Sequence, residues 1–276
     1  MELNSIIFRP PVPSYTYSRF GTELLWVPKD DKQFIPCLFL QSHQPSDKVF
    51  LFFHANAEDL GKVYDFLDII RCVLEISIFA PEYPGYGLYK GSTTCKKILK
   101  DTQVIYEFIQ QTLKVQKENI IIIGRSIGTG PASYLAGFTC NSLILLSPYT
   151  SLRMLIKSLA GSFMQYLVKD QLKNIEYLKK VTCPVLLIHG KKDGLIPFKH
   201  SEQLASVCRG SVTIYLSETM THNKFEYYDD VISPIDKFIK ENNIELHPGS
   251  PVQVPEVYLL TPSYIKLQNE MLSEFL

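Results

Sequence analysis

The sequence has no long apolar stretch; none approaches the roughly 20 residues that would cross a bilayer. It has no excess charge of either sign, with 28 Lys plus Arg against 28 Asp plus Glu. Nothing in that balance attracts nucleic acid or an anionic surface over long range. The start, Met1-Glu2-Leu3-Asn4-Ser5, lacks the basic and apolar regions of a secretory leader. Glu2 stands where myristoylation needs glycine. There is no Cys-x-x-Cys: Cys37, Cys72, Cys95, Cys140, Cys183 and Cys208 are scattered, and none lies at metal-ligand spacing with histidine. They read as buried free thiols of a reducing compartment, so the expected location is cytoplasmic. Internal repeats and low-complexity tracts are also missing. What is present is an ordinary globular composition, 276 residues with 46% apolar and 20% charged, enough for one large α/β domain or two small ones.

Residues 20–27 and 34–41 read as an antiparallel pair around the turn Pro28-Lys29-Asp30-Asp31-Lys32. Short continuous apolar runs follow at 49–53, 76–80, 120–123, 143–146, 185–188 and 212–216. Such runs indicate strands covered on both faces, as in a parallel sheet. Helical patterns alternate with them at 58–74, 96–113, 129–138, 198–207 and 223–240. The expected fold class is therefore α/β, a mostly parallel, doubly wound sheet. Residues 151–180 break the alternation and read as a short helical insertion roofing part of a site, or else as an ordinary crossover helix. One domain is expected over 1–246. The Pro-containing tail 247–276 reads as an extension of it.

The most informative run is Ile120-Ile121-Ile122-Ile123-Gly124-Arg125-Ser126-Ile127-Gly128. A buried strand leads directly into Gly-x-Ser-x-Gly, and a helical pattern follows. That context makes Ser126 a candidate nucleophile on a tight turn, with Gly124 and Gly128 removing Cβ atoms that would crowd it. A serine hydroxyl is a poor nucleophile at neutral pH. It needs a base, and the base needs an orienting acid. In this fold their chain order is Ser, acid, His. Asp193 follows the strand at 185–188 and is the candidate acid. His222 follows the strand at 212–216 and is the candidate base.

The other candidates are weaker. His43 and His247 are wrongly placed, His200 reads as surface and His189 as structural. Asp229 and Asp230 read as the solvated face of the last helix. Two backbone donors are needed for a tetrahedral oxyanion. Ile127 N–H is one; Asn56 N–H, with Ala57 as the close alternative, is the other. His54 is expected to brace that loop. Pro81-Glu82-Tyr83-Pro84-Gly85-Tyr86-Gly87 shapes the neighbouring turn, and Tyr86, with Tyr83 as the alternative, is a candidate substrate contact. Leu152, Leu155 and Phe163 are candidates to line an apolar acyl groove.

Taken together these residues resemble the α/β-hydrolase superfamily, and more closely the α/β-hydrolase domain-containing protein 17 family of protein depalmitoylases. The segment Phe8-Arg9-Pro10-Pro11-Val12-Pro13-Ser14-Tyr15 is similar to that family's Pro-Pro-x-Pro-x-Tyr. His54-Ala55-Asn56-Ala57-Glu58-Asp59-Leu60-Gly61 resembles its His-Gly-Asn-Ala-x-Asp-Leu-Gly. Tyr83-Pro84-Gly85-Tyr86-Gly87, Ser147-Pro148-Tyr149-Thr150-Ser151, Asn174-Ile175-Glu176 and Cys183-Pro184-Val185 continue the match in order. Ala55 stands where the family has glycine, Arg125 where it has glutamine, Glu82 where aspartate is usual, and Met220-Thr221 where glycines precede the last histidine. The family's palmitoylated N-terminal cysteine cluster has no counterpart before Cys37.

The resemblance implies an α/β-hydrolase fold and a serine hydrolase that cleaves acyl thioesters, through an acyl-Ser126 and with no cofactor or metal. Its partner would be an S-acylated protein, or a small acyl ester. No nucleic acid is involved, and any membrane contact would be peripheral. A general carboxylesterase and a catalytically silent binding module are the rival readings.

Overall fold

The computed structural model describes residues 7–30, 33–138, 140–160, 170–247 and 249–262, with side chains 158–160 also left aside. Eight strands form one sheet in the order β1-β2-β4-β3-β5-β6-β7-β8. β1 (Leu24–Pro28) and β2 (Phe34–Leu40) form the expected antiparallel pair, and β2 runs antiparallel to β4 (Ser77–Pro81). From β4 onward every pairing is parallel, through β3 (Val49–Phe53), β5 (Ile120–Arg125), β6 (Ser142–Leu146), β7 (Val185–Gly190) and β8 (Val212–Ser217).

The apolar runs are continuous because both faces of the sheet are covered. Along β5, Ile120 and Ile122 pack into one core while Ile121 and Ile123 pack into the other. All four are essentially buried, at about 1.5–3 kcal/mol each relative to exposure. β8 departs from the expectation. It lies at one end of the strand order and is only half-buried, with Ile214 exposed, whereas the other end strand, β1, is buried where the turn Glu256–Leu259 of the tail packs on it.

α1 (Leu60–Leu74) starts where the Asp59 side chain accepts the Lys62 N–H at 3.1 Å, an N-cap bond. It buries Leu60, Val63, Phe66, Leu67, Ile70 and Leu74 at helical spacing against the sheet. α2 (Cys95–Gln111), α3 (Thr129–Ala136) and α6 (Lys199–Val207) match the expected helices within a few residues. The insertion contributes α4 (Leu152–Ala160) and α5 (Asn174–Leu178), a short helical excursion in its described parts.

The last helix differs more. Residues 223–226 are not helical, a π-type turn spans Tyr227–Ile232, and α7 occupies Ser233–Glu241. Pro234 accounts for this start: lacking an N–H, proline suits a first helical turn and not an interior.

Among the thiols, Cys37 and Cys95 are buried, Cys140, Cys183 and Cys208 are half-buried, and Cys72 is exposed. Part of the tail docks on the domain. Val252 is buried, its carbonyl accepts from Gln41 Nε2 at 3.2 Å, and Tyr258 meets Phe108 edge-on at 4.9 Å between ring centres. Among the described residues no helix is long and apolar enough to cross a membrane.

Candidate active site

The parallel strands place their carboxyl ends on one side of the sheet, where ligands bind in α/β folds. β5 ends at Arg125, and Ser126 takes the left-handed backbone, φ 53°. A non-glycine residue there is strained and is held only by its surroundings. Gly128 supplies the clearance: a Cβ at that position would collide with the Phe53 carbonyl. The elbow therefore lies directly on the end of β3. Thr129 Oγ1 donates to the Ser126 carbonyl at 2.7 Å, and Asn174 Nδ2 donates to Thr129 Oγ1 at 2.9 Å. A buried polar chain thus ties the elbow to α5.

Ser126 Oγ lies 3.0 Å from His222 Nε2, and His222 Nδ1 lies 2.8 Å from Asp193 Oδ2. With Nδ1–H donating to the carboxylate, Nε2 accepts the serine hydroxyl. All three residues are largely buried. The other Asp193 oxygen accepts the Leu195 and Ile196 N–H groups at 2.9 and 2.8 Å. Burial alone would raise the Asp193 pKa. Its hydrogen bonds from His189, His222 and the Ile196 N–H outweigh that and hold it well below the usual carboxylate range. Three residues far apart in sequence, at the ends of β5, β7 and β8, are thus brought into one hydrogen-bonded line. Such a line can draw the proton from the serine hydroxyl.

The loop after β3 carries the second expected donor. Ala57 N–H is spent on Asn56 Oδ1 at 3.0 Å. Among the described residues, the Asn56 N–H has no hydrogen-bonded backbone acceptor; the Ile127 N–H lies in the first turn of the helix that starts at Ser126, where N–H groups lack a partner within the helix. The Asn56 side chain is fully engaged elsewhere: its oxygen takes Arg9 N–H at 2.9 Å and Tyr86 OH at 2.7 Å, and its Nδ2 donates to the Ile7 carbonyl at 2.7 Å. Ala55 is not among the residues with left-handed φ, so alanine fits where the resembled family has glycine.

His54 is fully buried, with Nε2 3.0 Å from Glu82 Oε1 and Nδ1 2.9 Å from the Ala55 carbonyl. Burial opposes its charged form, but the Glu82 carboxylate and the Ala55 carbonyl prevail and raise its pKa. It is placed as a brace, as the sequence suggested.

Several expectations change. Tyr86, expected against substrate, is buried with its hydroxyl committed to Asn56, because the Gly-rich turn folds inward under the loop. Leu152 and Leu155 are buried in the same apolar cluster as Ile127 and Tyr149, and Phe163 lies outside the described residues. His189, by contrast, is structural as expected, bonded to Ser201 Oγ and the Ile196 carbonyl. His200, expected at the surface, is buried with Nδ1 3.1 Å from Thr150 Oγ1, because α6 turns that face against the sheet.

Asp230, expected in solvent, is also buried. It takes Ser217 Oγ at 2.6 Å and the Glu226 N–H at 2.8 Å, and Ser217 Oγ in turn accepts the Met220 N–H at 3.0 Å. The π-type turn swings Asp230 inward, so it shapes the loop that carries His222. Sequence reading also gave no role to Glu58, Thr129 or Asn174. Their polarity next to the motifs was visible; their partners, 45 and 67 residues away, were not.

Next to this line lies a cavity of about 670 Å³, walled by Phe52, Phe66, Phe225 and Tyr227 with Arg125 and Glu58. Among the described residues there is no cluster of His, Cys, Asp and Glu that could hold a metal ion.

Residues 70–225 match the family model described as "Serine hydrolase (FSH1)". The chain is 31% identical to human alpha/beta hydrolase domain-containing protein 17B over 214 residues, 77% of this chain and 73% of that protein. It is 32% identical to the 17C protein of Xenopus laevis over 75% of this chain and 66% of that one. Among solved structures, Est1E from Butyrivibrio proteoclasticus superposes with a TM-score of 0.65 at 14% identity, covering 81% of this chain and all of that one. Mouse alpha/beta hydrolase domain-containing protein 10 gives 0.59 at 18% identity, covering 79% and 98%. At those identities the structural likeness establishes the α/β-hydrolase fold. The chain belongs to the serine hydrolase (FSH1) family and is an enzyme of the serine hydrolase type, similar over most of its length to the domain-containing 17 proteins.

Proposed function

We propose that the protein hydrolyses long-chain acyl thioesters on protein cysteines, with Ser126 as nucleophile, His222 as general base and acid, and Asp193 as the orienting carboxylate. The observation that carries this reading is the unbroken line Ser126 Oγ–His222–Asp193, with contacts of 3.0 and 2.8 Å. His222 Nε2 takes the Ser126 proton as Oγ attacks the acyl carbonyl. Asp193 holds the imidazole with Nδ1–H toward itself and stabilises the imidazolium. The oxyanion is held by the Ile127 and Asn56 N–H groups, each such donor typically worth about a hundred- to a thousandfold in rate.

The thiolate leaves and takes the proton from His222. Water, activated by the same imidazole, then releases the fatty acid from Ser126. No step calls for a metal or cofactor. Thioesters and long chains are favoured because the motif order is that of the depalmitoylase family it resembles. The same three groups also cleave oxygen esters, so a small-acyl carboxylesterase is the second reading.

Turnover of a palmitoylated cysteine peptide, beside acetyl and butyryl esters at equal concentration, tests the proposal. Wild type should favour the long thioester, and Ser126→Ala should lose activity on every substrate. Comparable turnover by Ser126→Ala would remove the nucleophile, and a strong preference for acetyl or butyryl esters would favour the carboxylesterase.

A further inference from the structure

Arg125 precedes the proposed nucleophile and does more than end β5. Its Nη2 donates to the His222 carbonyl at 3.0 Å, and its Nη1 is paired with Glu58 Oε1. The guanidinium also lies 5.1 Å from the centre of the Phe225 ring, which fixes its plane. Glu58 Oε2 accepts the Ala55 N–H at 3.1 Å, while the Ala55 carbonyl is held by His54 Nδ1 at 2.9 Å. Both backbone groups of Ala55 are therefore pinned. In a planar trans peptide the C=O and the next N–H point in opposite directions. Clamping the Ala55 carbonyl toward His54 thus aims the Asn56 N–H away from His54. A relaxed Ala55 could rotate that peptide and turn the donor aside.

We propose that Arg125 and Glu58 are positioning residues that lock the oxyanion loop and the His222 loop to each other across the end of β5. The inference rests on the assignment of Ser126, His222 and Asn56 made above. One cation spans two loops that approach from 67 residues upstream and 97 downstream, and both loops carry parts of the proposed machinery. The planar fork of arginine serves the carbonyl and the carboxylate from two separate nitrogens in a fixed geometry, which an ammonium or an amide on its shorter reach does not reproduce. The pair also walls the cavity of about 670 Å³, so a leaving group lodged there would lie against it.

The test uses the full chain with p-nitrophenyl butyrate and a fluorophosphonate probe. Arg125→Gln, Arg125→Lys, Glu58→Ala and the double variant Arg125→Gln/Glu58→Ala are compared with wild type and Ser126→Ala, each checked for native circular dichroism. Misplacing a reacting group by about 1 Å costs on the order of a hundredfold. The single variants Arg125→Gln and Glu58→Ala should therefore lose about 10- to 100-fold in kcat, with KM changed less than threefold and probe labelling slowed in parallel. Arg125→Lys should recover part of that loss. The double variant should be no slower than the slower single, since both break one linkage.

Folded variants with kcat within twofold of wild type would overturn the proposal, as would losses that multiply in the double variant. Failure of all the variants to fold would overturn it in favour of a purely structural pair. Absence of labelling and turnover in wild type would instead strike the hydrolase assignment.

Discussion

His54 shows how much one side chain is asked to do. Both ring nitrogens face acceptors, Glu82 Oε1 and the Ala55 carbonyl, so both need a proton. Its pKa is raised in the folded protein, since the carboxylate and carbonyl overcome the cost of burial. A raised folded value makes the stabilisation complete below the unfolded value, about 6.5. It is lost as pH rises through the folded value. His54→Gln, which cannot carry the charge, should be clearly less stable than wild type at pH 5.5, and the gap should narrow by pH 9. Urea midpoints at pH 5.5, 7 and 9 would check this; a gap constant across that range would contradict a charged His54. Asp193 has the opposite sign. Its depressed pKa contributes above the unfolded carboxylate value and is lost only in strong acid.

Elements bring these residues within reach of each other, and one close contact is where the elbow meets the end of β3. At Gly128 even a methyl group would strike the Phe53 carbonyl. Gly128→Ala should destabilise by about 1–3 kcal/mol, a typical cost of overpacking. It should also lower kcat more than tenfold by displacing the loop after β3 that carries the proposed oxyanion donor Asn56. Gly194→Ala is the control, because a Cβ there meets nothing within 4 Å. Urea denaturation and steady-state kinetics on both variants would decide it, and equal behaviour of the two would contradict the contact.

At this scale the sequence was legible wherever one local cause dominates. Ile120 to Ile123 announce a strand covered on both faces, and Gly124-Arg125-Ser126-Ile127-Gly128 announces the turn after it. It was misleading where tertiary context decides. β8 is half exposed while β1, at the other end of the sheet, is covered by the tail, and Asp230 turns inward because a π-type turn precedes α7.

Across the whole molecule, the tail 249–262 packs back on the sheet domain through Val252 and Tyr258. The contacts lie on β1, on Gln41 just after β2 and on Phe108 of α2, residues that take no part in the line Ser126–His222–Asp193. Removing residues 247–276 should therefore lower stability by about 1.5–3 kcal/mol for Val252 alone. It should leave kcat/KM on a soluble ester within twofold. Loss of activity with unchanged stability would reverse that view and give the tail a place in the site. The long-range polar links were the least legible feature, because a pair such as Arg125–Glu58 exists only once the sheet has closed.

The most direct test of the account is to treat the folded protein with a fluorophosphonate and map the adduct by peptide mass spectrometry. The account predicts a single stoichiometric adduct on Ser126, abolished in Ser126→Ala and slowed at least a hundredfold in His222→Ala, on the order expected when a general base is lost. An adduct on another residue, or labelling of Ser126 that does not depend on His222, would contradict it.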